Sequence, residues 1–114
     1  MFTKRIIKKQ AEMNFAGILR NNFHKLQEGE EIEVYPLFYL GQPILHVYKK
    51  NETDEAKAYT TSPVTSVTMG KTSVWIMTKN SEIMVKLNPE EMKKAQKFAK
   101  AYYKLMLKSA KKLA

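Results

Sequence analysis

Apolar positions change their spacing twice along this chain. In residues 1–27, Ile7, Ala11, Phe15, Leu19, Phe23 and Leu26 recur at steps of three or four, with Ile18 widening the stripe. That spacing puts apolar side chains along one side of a helix and predicts one here. Gly17 stands inside the stripe, where it costs about 1 kcal/mol relative to alanine in a helix, unless a neighbour packs close. Gly29 can supply the left-handed residue that ends the element.

From Glu31 the period becomes two. Ile32, Val34, Phe38 and Leu40 alternate with Glu33, Tyr35, Leu37 and Tyr39, which predicts a strand. Gly41-Gln42 reads as a turn and Ile44 to Lys49 as the returning strand of a hairpin. Pro36 has no N–H to give a ladder, so this strand is expected at an edge or with a bulge. After the polar run 50–55, Tyr59 to Met69 is an extended segment broken at Pro63. Gly70-Lys71 turns the chain into Thr72–Thr78, and Lys79-Asn80-Ser81 turns it into Glu82–Leu87. Short connections of this kind make an antiparallel meander of four or five strands.

The helical period then returns. Asn88 is a favoured N-cap, Pro89 suits the first helical position, and Glu91 occupies the capping-box position. Glu90 and Glu91 lie at the positive end of the helix dipole, and Lys108, Lys111 and Lys112 at the negative end. Met92, Ala95, Ala99, Tyr102, Met106 and Leu113 form the stripe expected to be buried. The expected fold class is α+β: an N-terminal helix, a four- to five-stranded antiparallel meander and a long C-terminal helix. At 114 residues this is one domain over 1–114. The segments Pro63–Met69, Ser73–Thr78 and Glu82–Leu87, with the helix from Pro89, resemble the end of a bacterial pleckstrin-homology-like domain. The resemblance covers about half the chain, rests on strand rhythm and implies architecture, not function.

Composition narrows the function classes. The 44% hydrophobic residues suit a packed core, and the absence of cysteine excludes a disulfide scaffold, a thiolate metal site and a cysteine nucleophile. No apolar run approaches the roughly 18 residues of a membrane span, and the N-terminus lacks a signal-peptide core, so a cytoplasmic protein is expected. The net charge is +9, unevenly spread. Residues 1–25 hold six basic residues against Glu12, residues 26–88 hold six against eight acids, and residues 89–114 hold eight lysines against Glu90 and Glu91. Lys4, Arg5, Lys8 and Lys9 cluster near the start; Lys93, Lys97, Lys100, Lys104, Lys108 and Lys111 fall along one helix face. Such rows neutralise phosphates and release counterions, although a solvated helix face looks much the same. With 18 lysines and two arginines, backbone contact is expected to outweigh base reading.

A second feature is aromatic. If Ile32, Val34, Phe38, Ile44, Val74, Ile76, Ile83, Val85 and Leu87 face the helices, Tyr35, Tyr39, Trp75, Met77 and Met84 share the other face. An exposed group of this kind is a stacking platform or a protein-binding surface, unless a helix or a homodimer covers it. Catalytic chemistry has little to work with. Gly70-Lys71-Thr72-Ser73 resembles the tail of a phosphate-binding loop, but Thr65 stands where its first glycine belongs and a strand follows, so a hairpin turn is expected. His24, His46 and Asp54 give no nucleophile, base and orienting acid together, and no metal-ligand spacing is present. No enzyme and no cofactor are therefore expected. The leading expectation is a small non-enzymatic protein, nucleic-acid-binding or nucleic-acid-associated, that holds phosphates through its lysine-rich helices. The alternatives are a protein-interaction module or inhibitor of the mobile-element accessory type, acting through the aromatic face, and a pleckstrin-homology-like or membrane-surface module.

Overall fold

A computed structural model describes residues 13–52 and 57–113, with side chains in the final helix as far as Ser109. Within them lie seven strands: β1 (Phe15–Leu19), β2 (Glu31–Tyr39), β3 (Gln42–Lys49), β4 (Tyr59–Thr60), β5 (Val64–Met69), β6 (Ser73–Thr78) and β7 (Glu82–Lys86). One helix follows, α1 (Pro89–Leu113). All the strands form one antiparallel sheet in the order β4-β3-β2-β1-β7-β6-β5. No helix among the described residues is long and apolar enough to cross a membrane.

Strands β4 and β5 are consecutive in the chain yet end the order on opposite sides. Only Thr61–Pro63 joins them, a link that reaches about 14 Å at most, whereas seven flat strands span about 29 Å. The sheet therefore curls until its edges approach. Lys79 N–H donates to the Pro63 carbonyl at 3.0 Å and Ser62 Oγ to Thr78 Oγ1 at 3.2 Å, tying the link to β6, while Thr61 N–H donates to the Leu45 carbonyl at 2.9 Å, tying it to β3. A register shift between Val64 and Ser66 bends β5 at the same place.

The inward face supplies the core. Phe15, Leu19, Ile32, Val34, Leu45, Val47, Val74, Ile76, Ile83 and Val85 are each fully buried, and Ala95, Phe98 and Tyr102 of α1 cap them. A second, smaller cluster of Tyr35, Leu37 and Tyr48 lies on the other face of β2 and β3, with Ile44 against it. Ile44 is thus on the face opposite to the expected one: it pairs with Leu37, and Leu45 takes the inward position.

The expected N-terminal helix is overturned over the described residues. Residues 15–19 are strand β1, and residues 20–30 are an irregular connection in which Phe23 and Leu26 form an isolated bridge. His24 there adopts a left-handed φ of 50°. The reason is arithmetic: residues four apart share a face in a strand as well as in a helix, so Phe15 and Leu19 satisfy both periods. Ile7 and Ala11 lie outside the described residues. The meander of four or five strands is likewise corrected to seven, since β1 joins the sheet and Pro63 divides the 59–69 segment into β4 and β5. Pro36 sits in β2, between β1 and β3 in the order. Pairing with β1 ends at Val34, so Pro36 falls past the last β1 partner and its missing N–H interrupts no pair there.

Candidate functional site

Helix α1 starts on its cap. The Asn88 side chain accepts from the Glu91 backbone N–H at 2.8 Å, and the Asn88 carbonyl accepts from Met92 N–H. The Glu91 carboxylate does not complete the capping box. It accepts instead from the Ala16 backbone N–H at 2.8 Å, with Lys94 3.4 Å away, and so ties the helix to β1. A cleft of about 350 Å³ opens beside this joint. Its charged groups offset one another, Glu31 standing 3.7 Å from Lys50 and Glu91 being engaged as described.

From this joint α1 crosses the open end of the curled sheet. Ala95, Phe98, Ala99 and Tyr102 are buried beneath it; the Phe38 ring lies 6.3 Å from that of Phe98. Phe98 was absent from the expected stripe and is buried, and Met106, included in it, is 38% exposed. Tyr103 is a second anchor. Its hydroxyl donates to the Val67 carbonyl of β5, and its ring stands edge-on to Tyr102 at 5.2 Å.

Lysines occupy the side of α1 away from the core. Lys93, Lys97, Lys100, Lys104 and Lys108 are all exposed. At 3.6 residues per turn they form one row opposite Ala95, Phe98 and Tyr102. Among the described residues the helix has one ion pair, Lys94 with Glu91, and Lys94 lies off the row. Lys111 is in the last turn, where only the backbone is described; Lys4, Arg5, Lys8 and Lys9 lie outside the described residues. Between this row and the end of β5 runs a groove of about 590 Å³, with Met69, Ala99, Tyr103 and Leu107 along it and Lys100 and Lys104 at its rim. Tyr103 is 49% and Leu107 64% exposed. The groove was missed in the sequence, although Ala99, Tyr103 and Leu107 recur at steps of four beside the main stripe.

The five residues expected to share one exposed aromatic face are not brought into one patch. Tyr35 is buried in the second cluster, where its hydroxyl donates to Glu33 Oε2 at 2.7 Å; burial, then this bond, push its pKa up. Tyr39 is exposed near the β2–β3 turn, followed by Leu40, 85% exposed with a φ of 52°. Trp75, half-exposed, pairs across strands with Met84 and Thr68, and Met77 pairs with Glu82. Trp75 thus keeps two methionines for company on the outer face of β6 and β7, while the tyrosines stand elsewhere.

The Gly70–Ser73 segment and the two histidines have structural surroundings. Gly70 N–H donates to the Ser73 carbonyl at 2.7 Å, so Gly70-Lys71-Thr72 is the β5–β6 hairpin turn. His46 is buried opposite Tyr35 and meets Thr60 Oγ1 at 3.1 Å through Nδ1; burial lowers its pKa. His24 stacks on Tyr59 at 6.0 Å and stands edge-on to Phe23 at 4.1 Å. No group of His, Asp or Glu that could hold a metal ion occurs among the described residues. No protein-family model, curated protein or solved structure matches the chain.

Proposed function

We propose that this protein binds the phosphate backbone of nucleic acid through the outer lysine row of α1 and performs no chemistry on it. The observation that carries the reading is the row itself: Lys93, Lys97, Lys100, Lys104 and Lys108 exposed opposite the buried stripe. Among the described residues no carboxylate pairs with any of the five. Like charges one turn apart destabilise a helix by roughly 0.2–0.5 kcal/mol per pair, a cost that a polyanion removes. Lysine, a compact point charge, holds phosphates without reading bases, so little sequence preference is expected.

The test is a titration of labelled duplex DNA and single-stranded RNA over a range of salt concentrations. Each phosphate contact steepens the log-affinity against log-salt slope by roughly 0.7–0.9. Replacing Lys97, Lys100, Lys104 and Lys108 with glutamine should flatten the slope by about three units if all four engage. An unchanged slope in the folded variant removes this surface from the account. A parent that binds neither polymer at low salt overturns the reading and leaves a protein partner.

A further inference from the structure

We propose that the groove between the end of β5 and the flank of α1 is a docking site for a short acidic peptide segment of a protein partner. An apolar side chain of that segment enters between Met69, Tyr103 and Leu107, and its carboxylates meet Lys100 and Lys104.

Shape and charge each restrict the occupant. Ala99 is 6% exposed and small, giving the groove depth, while Tyr103 and Leu107 leave apolar surface in water along its wall. Tyr103 is held before anything binds, since its hydroxyl is engaged at Val67 and its ring packs on Tyr102. A fixed aromatic wall loses little conformational freedom on binding, which favours affinity. The Val67 carbonyl is already taken by Tyr103, so recognition proceeds through side chains and not by adding a strand to β5. At the rim, Lys100 and Lys104 stand one turn apart with no ion pair among the described residues. A second copy of this chain, with net charge +9, would bring the same lysines and set like charges face to face. A carboxylate-bearing segment meets them with complementary charge.

This inference does not rest on the nucleic-acid reading, yet Lys100 and Lys104 belong to both surfaces. An acidic segment in the groove therefore competes with a polyanion for part of the row.

The full-length protein is panned against a random-peptide phage library, and the selected peptides are measured by fluorescence anisotropy. Selected sequences should combine Asp or Glu with a large apolar residue. Leu107→Gln, at an exposed position, should fold as the parent does and weaken their binding by about tenfold, the loss expected for one buried leucine contact. Lys100→Gln with Lys104→Gln should weaken it too and remove its salt dependence. Leu107→Gln should leave the nucleic-acid salt slope unchanged. Conversely, Lys93→Gln with Lys97→Gln, outside the groove, should reduce that slope and spare peptide affinity. Failure to select any peptide, selection of peptides without carboxylates, or affinity indifferent to Leu107→Gln overturns the proposal. So does a dimer, seen by sedimentation, that dissociates on Leu107→Gln, since a second copy would then fill the groove.

Discussion

At Gly17 an added Cβ would stand 2.3 Å from the Lys86 carbonyl oxygen, 2.7 Å from Val85 Cγ1 and 2.8 Å from Leu87 Cδ2. Two of these neighbours are inward-packed side chains and one is backbone, so none can withdraw cheaply. Gly17→Ala is expected to lower stability by about 1–3 kcal/mol, the usual cost of overpacking, seen as a lower urea midpoint. A midpoint equal to the parent's would mean that β1 and β7 separate more easily than their pairing implies. His46 offers a second measurement. Its burial holds the folded-state pKa below the ordinary 6.5, so the unfolded chain takes up its proton first as pH falls. The contribution of neutral His46 is therefore complete above pH 6.5 and declines as pH drops below that value. Unfolding free energy should fall between pH 6.5 and about 5, before most carboxylates titrate, and His46→Gln should flatten that stretch of the profile.

Elements differ in how openly the sequence declares them. Strands β5 to β7 and the start of α1 were legible because turn residues, alternation and the Asn88-Pro89 pair all agree there. Asn88→Ala should cost about 1 kcal/mol, since the Glu91 N–H loses its side-chain acceptor. An unchanged denaturation midpoint would show that the cap bond contributes nothing to folding. Strand β1 was not legible, because its inward residues Phe15 and Leu19 are four apart and the position between them is a glycine. Without an apolar residue at position 17 the period of two leaves no trace, and the helical reading wins by default. Gly17 was nevertheless the clue: unfavourable in a helix, it is required where β1 passes the Lys86 carbonyl. The aromatic residues differ in exposure for another reason. Alternation puts Tyr35 and Trp75 on the outer face, but whether an outer residue meets water depends on what covers each strand. The second cluster around Tyr48 encloses Tyr35 and leaves Trp75 half-exposed.

Across the whole molecule, charge and packing are divided between opposite sides of one helix. The side of α1 that holds Phe98 and Tyr102 closes the curled sheet, and the side that holds the lysines adds nothing to that core. The row is therefore expected to oppose folding at low salt. Among the described residues three ion pairs act the other way, Lys49 with Glu30 at 3.2 Å, Lys50 with Glu31 at 3.7 Å and Lys94 with Glu91 at 3.4 Å. All three are partly exposed, a setting in which such pairs contribute roughly 0–1 kcal/mol each. Against them stand four like-charge steps from Lys93 to Lys108 and an excess of 20 basic over 11 acidic residues. Salt shortens the range of these forces from about 30 Å at 0.01 M to about 8 Å at 0.15 M. Repulsion summed over the molecule is reduced more by this than three adjacent pairs are weakened, so Tm should rise with sodium chloride over that interval. Replacing Lys97, Lys100, Lys104 and Lys108 with glutamine removes about 1 kcal/mol of helix repulsion at low salt, equivalent to a Tm higher by about 4 °C. Differential scanning calorimetry of parent and variant at the two salt concentrations checks both statements. The variant should start higher and rise less. A parent Tm that falls with salt would show that the ion pairs, not the lysine row, dominate the charge energetics of the fold.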